Sequence, residues 1–204
     1  MKNIAIVGAG GHTRSSINLI KQYYPYGILK IYDDTFNSNI DEYISDIKLI
    51  GRVSDITKDD AVFISIGDNK KREKYFELFV NRVIQDNLIH EKAYLEKDIK
   101  IGKSNQILAN SYINSHVEIV ENNIINTSAI LEHEVKIGSH NHISVGAKIC
   151  GRVTIGNRCF IGVGAVIIDK ISICDNVIIG AGAIVINNIT EPGTYVGNPA
   201  RKIK

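Results

Sequence analysis

Tryptophan is absent from this 204-residue chain, methionine occurs only at position 1, and there are three cysteines and three prolines. Cys150, Cys159 and Cys174 are odd in number and show no C-x-x-C spacing, which excludes a disulfide framework or a zinc knuckle and leaves reduced thiols. An excess of either charge is also missing: 24 basic against 22 acidic residues give a net +2, and the Lys and Arg are scattered. So weak and diffuse a field recruits no nucleic acid. No apolar run approaches the ~20 residues that span a bilayer, so no membrane partner is expected. The opening MKNIAIVGAGGHTR has too short an apolar stretch for a signal peptide. The expected compartment is the cytoplasm. With 44% hydrophobic and 23% charged residues, the chain has enough apolar content for a globular core.

What the chain has in excess is isoleucine: 38, against 8 leucines and 15 valines. Of these, 24 lie from Ile89 onward, and they are not randomly placed. From Ile89 through Leu95, Ile101, Ile107 and on to Ile179 and Val185, every sixth residue is Ile, Leu or Val, seventeen times without a slip. Six is even, so along an extended chain these side chains share one face. On a helix the same spacing would walk around the axis. The fourth residue after each aliphatic is often small or β-branched, as at Ala129, Val135, Ala147, Val153, Cys159 and Ala165. The first is often glycine, at 102, 138, 156, 162 and 180, read here as relief of turn strain. This is the hexapeptide pattern of the left-handed parallel β-helix, which the segment resembles. Three hexads make a triangular coil of about 18 residues, giving between five and six coils.

Residues 1–86 follow a different pattern. Lys2–Val7 reads as a buried strand, Gly8-Ala9-Gly10-Gly11-His12 as a turn, and Thr13–Tyr23 as a helix. Further strands are expected at Ile28–Tyr32, ending on Asp33-Asp34, and at Ala61–Ile66, followed by a helix over Lys70–Asn81. That is the start of an α/β Rossmann-like domain. Gly8 and Gly10 match the dinucleotide fingerprint, but Thr13 holds the third glycine position. The turn still offers backbone N–H groups to a phosphate. The domain is half the size of a dinucleotide fold, which favours a mononucleotide or nucleotide-sugar site over NAD. The bland alternative is a tight turn with no ligand.

In the β-helix, His133 and Glu134 fall in a turn on the outer surface. A carboxylate on one imidazole nitrogen fixes the tautomer and raises the basicity of the other, as proton transfer requires. His142 lies one residue before the core aliphatic Ile143, also facing outward. His90, His116 and His140 read as an entry residue and two solvated turn residues.

Taken in order, GAGGH, Asp33-Asp34, Ile66-Gly67-Asp68-Asn69 with Arg72, Asn87-Leu88-Ile89-His90, His133-Glu134 and Tyr195-Val196-Gly197-Asn198-Pro199-Ala200 resemble the sugar acetyltransferases that carry an N-terminal nucleotide-sugar domain. The chain resembles in particular the bacterial enzymes that N-acetylate the 4-amino group of UDP-4-amino-4,6-dideoxy sugars, and also the sialic acid O-acetyltransferases. The resemblance implies a nucleotide-sugar domain over 1–86 and an acetyltransferase β-helix with a C-terminal tail over 87–204. It implies His133 as general base and Glu134 as its polarising partner. Acetyl-CoA would be held by His142, Gly151, Val163 and Ala181. The nucleotide sugar would be held by Gly10, Gly11, His12, Asp33, Asp34 and Gly67. Thr13-Arg14 departs from the family, and the roles of Arg14, Asn69 and Arg72 stay open.

The resemblance also implies a homotrimer with active sites at subunit interfaces, direct attack with no acyl-enzyme, and no metal. A backbone N–H near His142 or Gly151 would serve the oxyanion. The tail from Thr190 to Lys204 is expected to cover the end of the prism and line the coenzyme site. Two other readings fit parts of the sequence. A zinc site of the carbonic-anhydrase kind would draw on His116, His133, His140 and His142, but gives the N-terminal domain no purpose. A non-catalytic scaffold would use the hexapeptide repeat alone.

Overall fold

The computed structural model describes residues 2–203; Lys204, the last residue of the expected tail, lies outside them. The chain divides into two compact units, Met1–Gln85 and Asp86–Lys204.

In the first unit, β1 (Asn3–Val7) is followed by α1 (Gly11–Tyr23), β2 (Ile28–Tyr32), β3 (Tyr43–Ile44), β4 (Ile47–Gly51), β5 (Ala61–Ile64) and α2 (Asn69–Leu78). The sheet order is β3-β4-β2-β1-β5, with β4, β2, β1 and β5 parallel and β3 antiparallel to β4. β1 is central and almost wholly buried, which its continuous apolar run requires of a strand covered on both faces. Ala5 and Val7 pack with Phe76 of α2, so by alternation Ile4 and Ile6 point to the opposite face. The β3–β4 hairpin was not anticipated from the sequence. Its strand β4 alternates buried and exposed, and Ser45, at φ 55°, makes the tight turn before it. The sheet order reverses at β1, which places the carboxyl ends of β1, β2 and β5 around one crevice.

The second unit is a left-handed parallel β-helix. Two of its three faces carry six repeat strands and the third carries five. Each strand ends on one member of the six-residue series. From Ile107 to Val185 all fourteen are buried, while Ile89, Leu95 and Ile101 in the first coil are partly buried. Stacked aliphatics lose most of their water-accessible area, a gain of roughly 1.5–3 kcal/mol for each. Ile149 has no exposed surface, so Ile149→Ala should cost about 2–5 kcal/mol of unfolding free energy, read by chemical denaturation.

The corner geometry corrects one expectation. Every sixth residue from Asp98 to Gly182 has φ between 53° and 65°, and twelve of these fifteen are not glycine. The left-handed residue is therefore the third after each aliphatic. The glycines at 102, 138, 156, 162 and 180 have no such φ. Their constraint is close approach of the next coil: a Cβ on Gly102 would lie 2.1 Å from the Val120 carbonyl oxygen, and one on Gly138 2.5 Å from that of Gly156.

A second unforeseen feature is an asparagine ladder inside one corner. The Asn87 Oδ1 accepts from the Asn105 N–H, Asn105 from Asn123, Asn123 from Asn141, and Asn141 from Cys159, at 2.7–3.0 Å. Asn105, Asn123 and Asn141 are fully buried, and the ladder satisfies backbone donors that the core would otherwise strand. At the far end the tail strand Gly193–Val196 adds to the first face and turns back through Arg201–Lys202. Val196 seats over Gly180, so the tail covers the last coil.

Candidate active site and nucleotide pocket

A cavity of about 560 Å³ opens in the crevice of the first unit. All six residues expected to hold the nucleotide sugar line it: Gly10, Gly11, His12, Asp33, Asp34 and Gly67. Gly10 caps α1 without a side-chain hydrogen bond, and the first turn has no acidic residue. A helix N-terminus bordering a cavity in this way is suited to an anionic group. A Cβ on Gly10 or Gly11 would meet no atom within 4 Å, so both glycines border open space. α2 differs, because Asp68 caps its own helix by accepting from the Lys71 N–H at 2.8 Å.

The glycine turn is fixed from below. Gly8 takes φ +112°, and a Cβ there would lie 2.8 Å from the Ser65 carbonyl oxygen. Thr13, at the third fingerprint position, places its hydroxyl 2.8 Å from the Gly8 oxygen and 3.1 Å from that of Ser65. A hydroxyl bridging strand and helix thus stands where close packing against glycine is usual. Arg14 donates to the carbonyls of Ala9 and Gly10, at 2.9 and 3.1 Å, and braces the turn from outside the cavity.

The two aspartates are already engaged. Asp33 accepts from the Ala9 N–H at 2.8 Å and from the Thr35 N–H and hydroxyl at 2.9 and 2.8 Å. Burial alone would raise its carboxyl, but these hydrogen bonds win and hold it below the ordinary carboxylate value. Asp34 accepts from the Val53 N–H at 3.3 Å and from the Tyr75 hydroxyl at 2.6 Å. Desolvation, with the bond to Asp34, pushes the Tyr75 phenol up to about 12. Arg72 is fully buried and donates to the carbonyls of Ile66 and Gly67 and to the Asn69 amide oxygen. Burial pulls its guanidinium down to about 9, still charged at neutral pH. Asn69 and Arg72 therefore shape the Gly67 loop.

Lys71, Lys74 and Tyr75 also line the cavity and were missed in the sequence. Their signal was available: three and six residues after a capping Asp68, the lysines fall on one face of the helix that starts there.

In the second unit, the strand Ile130–Leu131 delivers the chain to the turn that holds His133 and Glu134. The His133 Nδ1 lies 3.0 Å from the Glu134 Oε2, and both side chains are about half exposed, at 47% and 55%. Glu134 occupies the left-handed position, φ 61°, which turns its carboxylate back toward the ring. The other side of the ring lies over Gly151, one coil on. A Cβ there would sit 2.6 Å from both His133 Cε1 and Nε2. At the equivalent position in neighbouring turns, the N–H groups of Ser115 and Thr127 donate to the side chains of Asn114 and Asn126. Gly151 follows Cys150 instead, and among the described residues its N–H has no protein acceptor. An imidazole polarised by a carboxylate thus stands beside a backbone donor.

His142 lies on the strand His142–Ile143, one residue before a core aliphatic. It is nearly buried, with Nε2 3.0 Å from the Asn126 amide nitrogen and an edge-on ring contact to Phe160 at 5.1 Å. His140 is buried beside Asn122, whereas a solvated turn residue was expected. Val163 and Ala181 are exposed and occupy successive coils of one corner, with Val145 before them. Gly146, Gly164 and Gly182 beside them have φ near +65° and open space where a Cβ would go. The result is a low apolar strip running along the prism.

The thiols are poorly placed for nucleophilic work. Burial pushes Cys159 up to about 11 and raises Cys150 and Cys174 as well. Among the described residues no group of three His, Cys, Asp or Glu side chains converges on a metal position, and no helix is long and apolar enough to cross a membrane.

Comparison with known proteins agrees with this architecture. Residues 3–79 match the family model of the PglD N-terminal domain. The acetyltransferase domain of PglB from Neisseria gonorrhoeae superimposes with a TM-score of 0.90 at 25% identity, covering all of both chains. The same domain solved with acetyl coenzyme A gives 0.87, covering 99% of each. A perosamine N-acetyltransferase variant from Caulobacter crescentus, solved with CoA and GDP-perosamine, gives 0.87 at 24% identity, covering 100% of this chain and 98% of that one. In sequence, an uncharacterized protein of Acanthamoeba polyphaga mimivirus is 35% identical over 104 residues, half of this chain. The chain spans about a fifth of the length of that curated relative. Residues 3–79 thus match the PglD N-terminal domain, and over its full length the chain is similar to the acetyltransferase domain of PglB.

Proposed function

We propose that the protein transfers acetyl from acetyl-CoA to the 4-amino group of a nucleotide-linked 4-amino-4,6-dideoxy sugar, the UDP-linked form being the expected substrate. The observation that carries this reading is the His133–Glu134 pair with its ring laid over Gly151. The full-length likeness to a domain solved with acetyl coenzyme A supports the choice of donor.

In this mechanism residues 1–86 hold the nucleotide sugar. The N–H groups at Gly10 and Gly11, with Lys71 and Lys74, meet the diphosphate, and His12, Asp33, Asp34 and Gly67 border the rest. Residues 87–204 carry the transfer. His133 takes a proton from the amine through Nε2, and Glu134 stabilises the imidazolium through Nδ1. The Gly151 N–H donates to the oxyanion formed on the thioester carbonyl. Coenzyme A leaves as the thiol. The strip at Val163 and Ala181 suits an extended, thin pantetheine chain, with His142 flanking the thioester end. The site is completed by neighbours in a homotrimer, in the cytoplasm where the donor is available.

The test is release of free coenzyme A thiol by the purified protein against UDP-, GDP- and dTDP-linked 4-amino sugars, with free and CMP-linked sialic acid alongside. Turnover is expected with the amino sugars, fastest with the UDP form. Turnover with sialic acid alone would overturn the proposal.

A further inference from the structure

The turn position of His133 recurs one coil on at Gly151 and another coil on at Asp169. The middle member has no side chain, so a gap separates the outer two. Around the point where a Cβ on Gly151 would sit, His133 Nε2 lies at 2.6 Å and Asp169 Oδ1 at 3.2 Å. An imidazole nitrogen and a carboxylate oxygen therefore both approach the same point above the Gly151 backbone.

Asp169 is held there by design of the neighbouring side chain. Arg152 donates through Nε to Oδ1 at 3.2 Å and through the Nη2 group to Oδ2 at 2.6 Å. Such a two-point grip fixes the plane of the carboxylate. A carboxylate offers about four lone-pair positions, so Oδ1 keeps acceptor capacity toward the gap. Arg152 is itself anchored on the same turn, its N–H donating to the His133 carbonyl at 2.9 Å. Of the other charged groups nearby, Lys170 reaches Asp169 only at 4.0 Å and Glu132 is bound by Asn114 at 2.7 Å.

We infer that Asp169 is a further acceptor-binding residue, which receives the acceptor's amino group in the gap over Gly151 and selects amines over hydroxyls. This rests on the acetyl-transfer reading above and adds a residue that the resemblance to known acetyltransferases did not supply. An amine arrives largely as the ammonium ion, a charged donor that a carboxylate binds well, whereas a sugar hydroxyl is neutral. One N–H bond points to Asp169 while another gives its proton to His133 Nε2. The freed lone pair then attacks the thioester carbon, the nitrogen loses its second proton to solvent as the tetrahedral intermediate forms, and the imidazolium protonates the departing thiolate, so that amide, thiol and one proton result. Arg152 acts as a positioning residue for the carboxylate.

The experiment is Asp169→Asn in the full chain, which keeps size and one of the two oxygens that Arg152 grips. The measured quantity is the ratio of kcat/KM for a nucleotide-linked 4-amino sugar to that for the matching 4-hydroxy sugar. The ratio should fall about tenfold or more, the loss of one charge-assisted hydrogen bond. The rise should lie in the KM for the amino sugar, with the KM for acetyl-CoA and the thermal midpoint unchanged. A ratio within twofold of the unmodified protein's overturns the inference and leaves acetyl transfer standing. No transfer to any amino sugar by the unmodified protein would overturn both.

Discussion

His133→Ala is expected to lower kcat/KM for acetyl transfer by about 10²- to 10⁴-fold, the usual worth of a positioned general base. The side chain is half exposed and outside the aliphatic core, so the thermal midpoint should hardly move. Activity within a few-fold of the unmodified protein would refute the role. The size of the effect follows from the arrangement. The amine must lose a proton as it attacks, and none of the cysteines offers a substitute, since burial raises all three thiols. The Gly151 N–H and the bound substrates remain after the substitution. Residual turnover should therefore exceed the rate in buffer and rise with pH as free hydroxide and deprotonated amine take over.

Gly151→Ala should cost about 10²-fold in kcat while leaving the fold intact. The added methyl would sit 2.6 Å from His133 Cε1 and Nε2, so the ring must leave its place. The ring is the end of an exposed, rotatable side chain, and Gly151 has no left-handed φ that would penalise alanine. The displacement is thus absorbed at the site, where a shift of about 1 Å of the base is enough for such a loss. Gly102 makes the contrast. There the methyl would press to 2.1 Å on the carbonyl oxygen of Val120, and the backbone itself must give. Steady-state kinetics and thermal unfolding of Gly151→Ala, measured together, separate the two behaviours. Equal loss of stability and activity would show that Gly151 serves packing alone.

The β-helix was readable because its physics is periodic. One inward aliphatic per strand and three strands per coil leave a mark every sixth residue, and that mark holds from Ile89 to Val185. The role of the repeat glycines was not readable, because φ and close approach both favour glycine and only coordinates separate them. The asparagine ladder was hidden for a related reason. Asn105, Asn123 and Asn141 sit at the position of the small core residues, and polarity there looks like a lapse until each amide is seen to serve the next coil. In the first unit the glycine turn and both aspartates were legible as a pocket. The β3–β4 hairpin was not, because its two-residue strand and one-sided pattern resemble loop sequence. Asp169 was invisible for a geometric reason: it meets His133 only through stacking of coils, across the gap that a glycine leaves.

The most direct test of the account is the chemistry of the product. Incubation of the purified protein with acetyl-CoA and the UDP-linked 4-amino-4,6-dideoxy sugar, followed by mass spectrometry before and after alkaline hydroxylamine, reads the bond that forms. The account expects one added acetyl group per sugar that survives hydroxylamine, as an amide at the 4-position does. A product that loses its acetyl group to hydroxylamine is an ester, and would contradict the assignment of an amine acceptor.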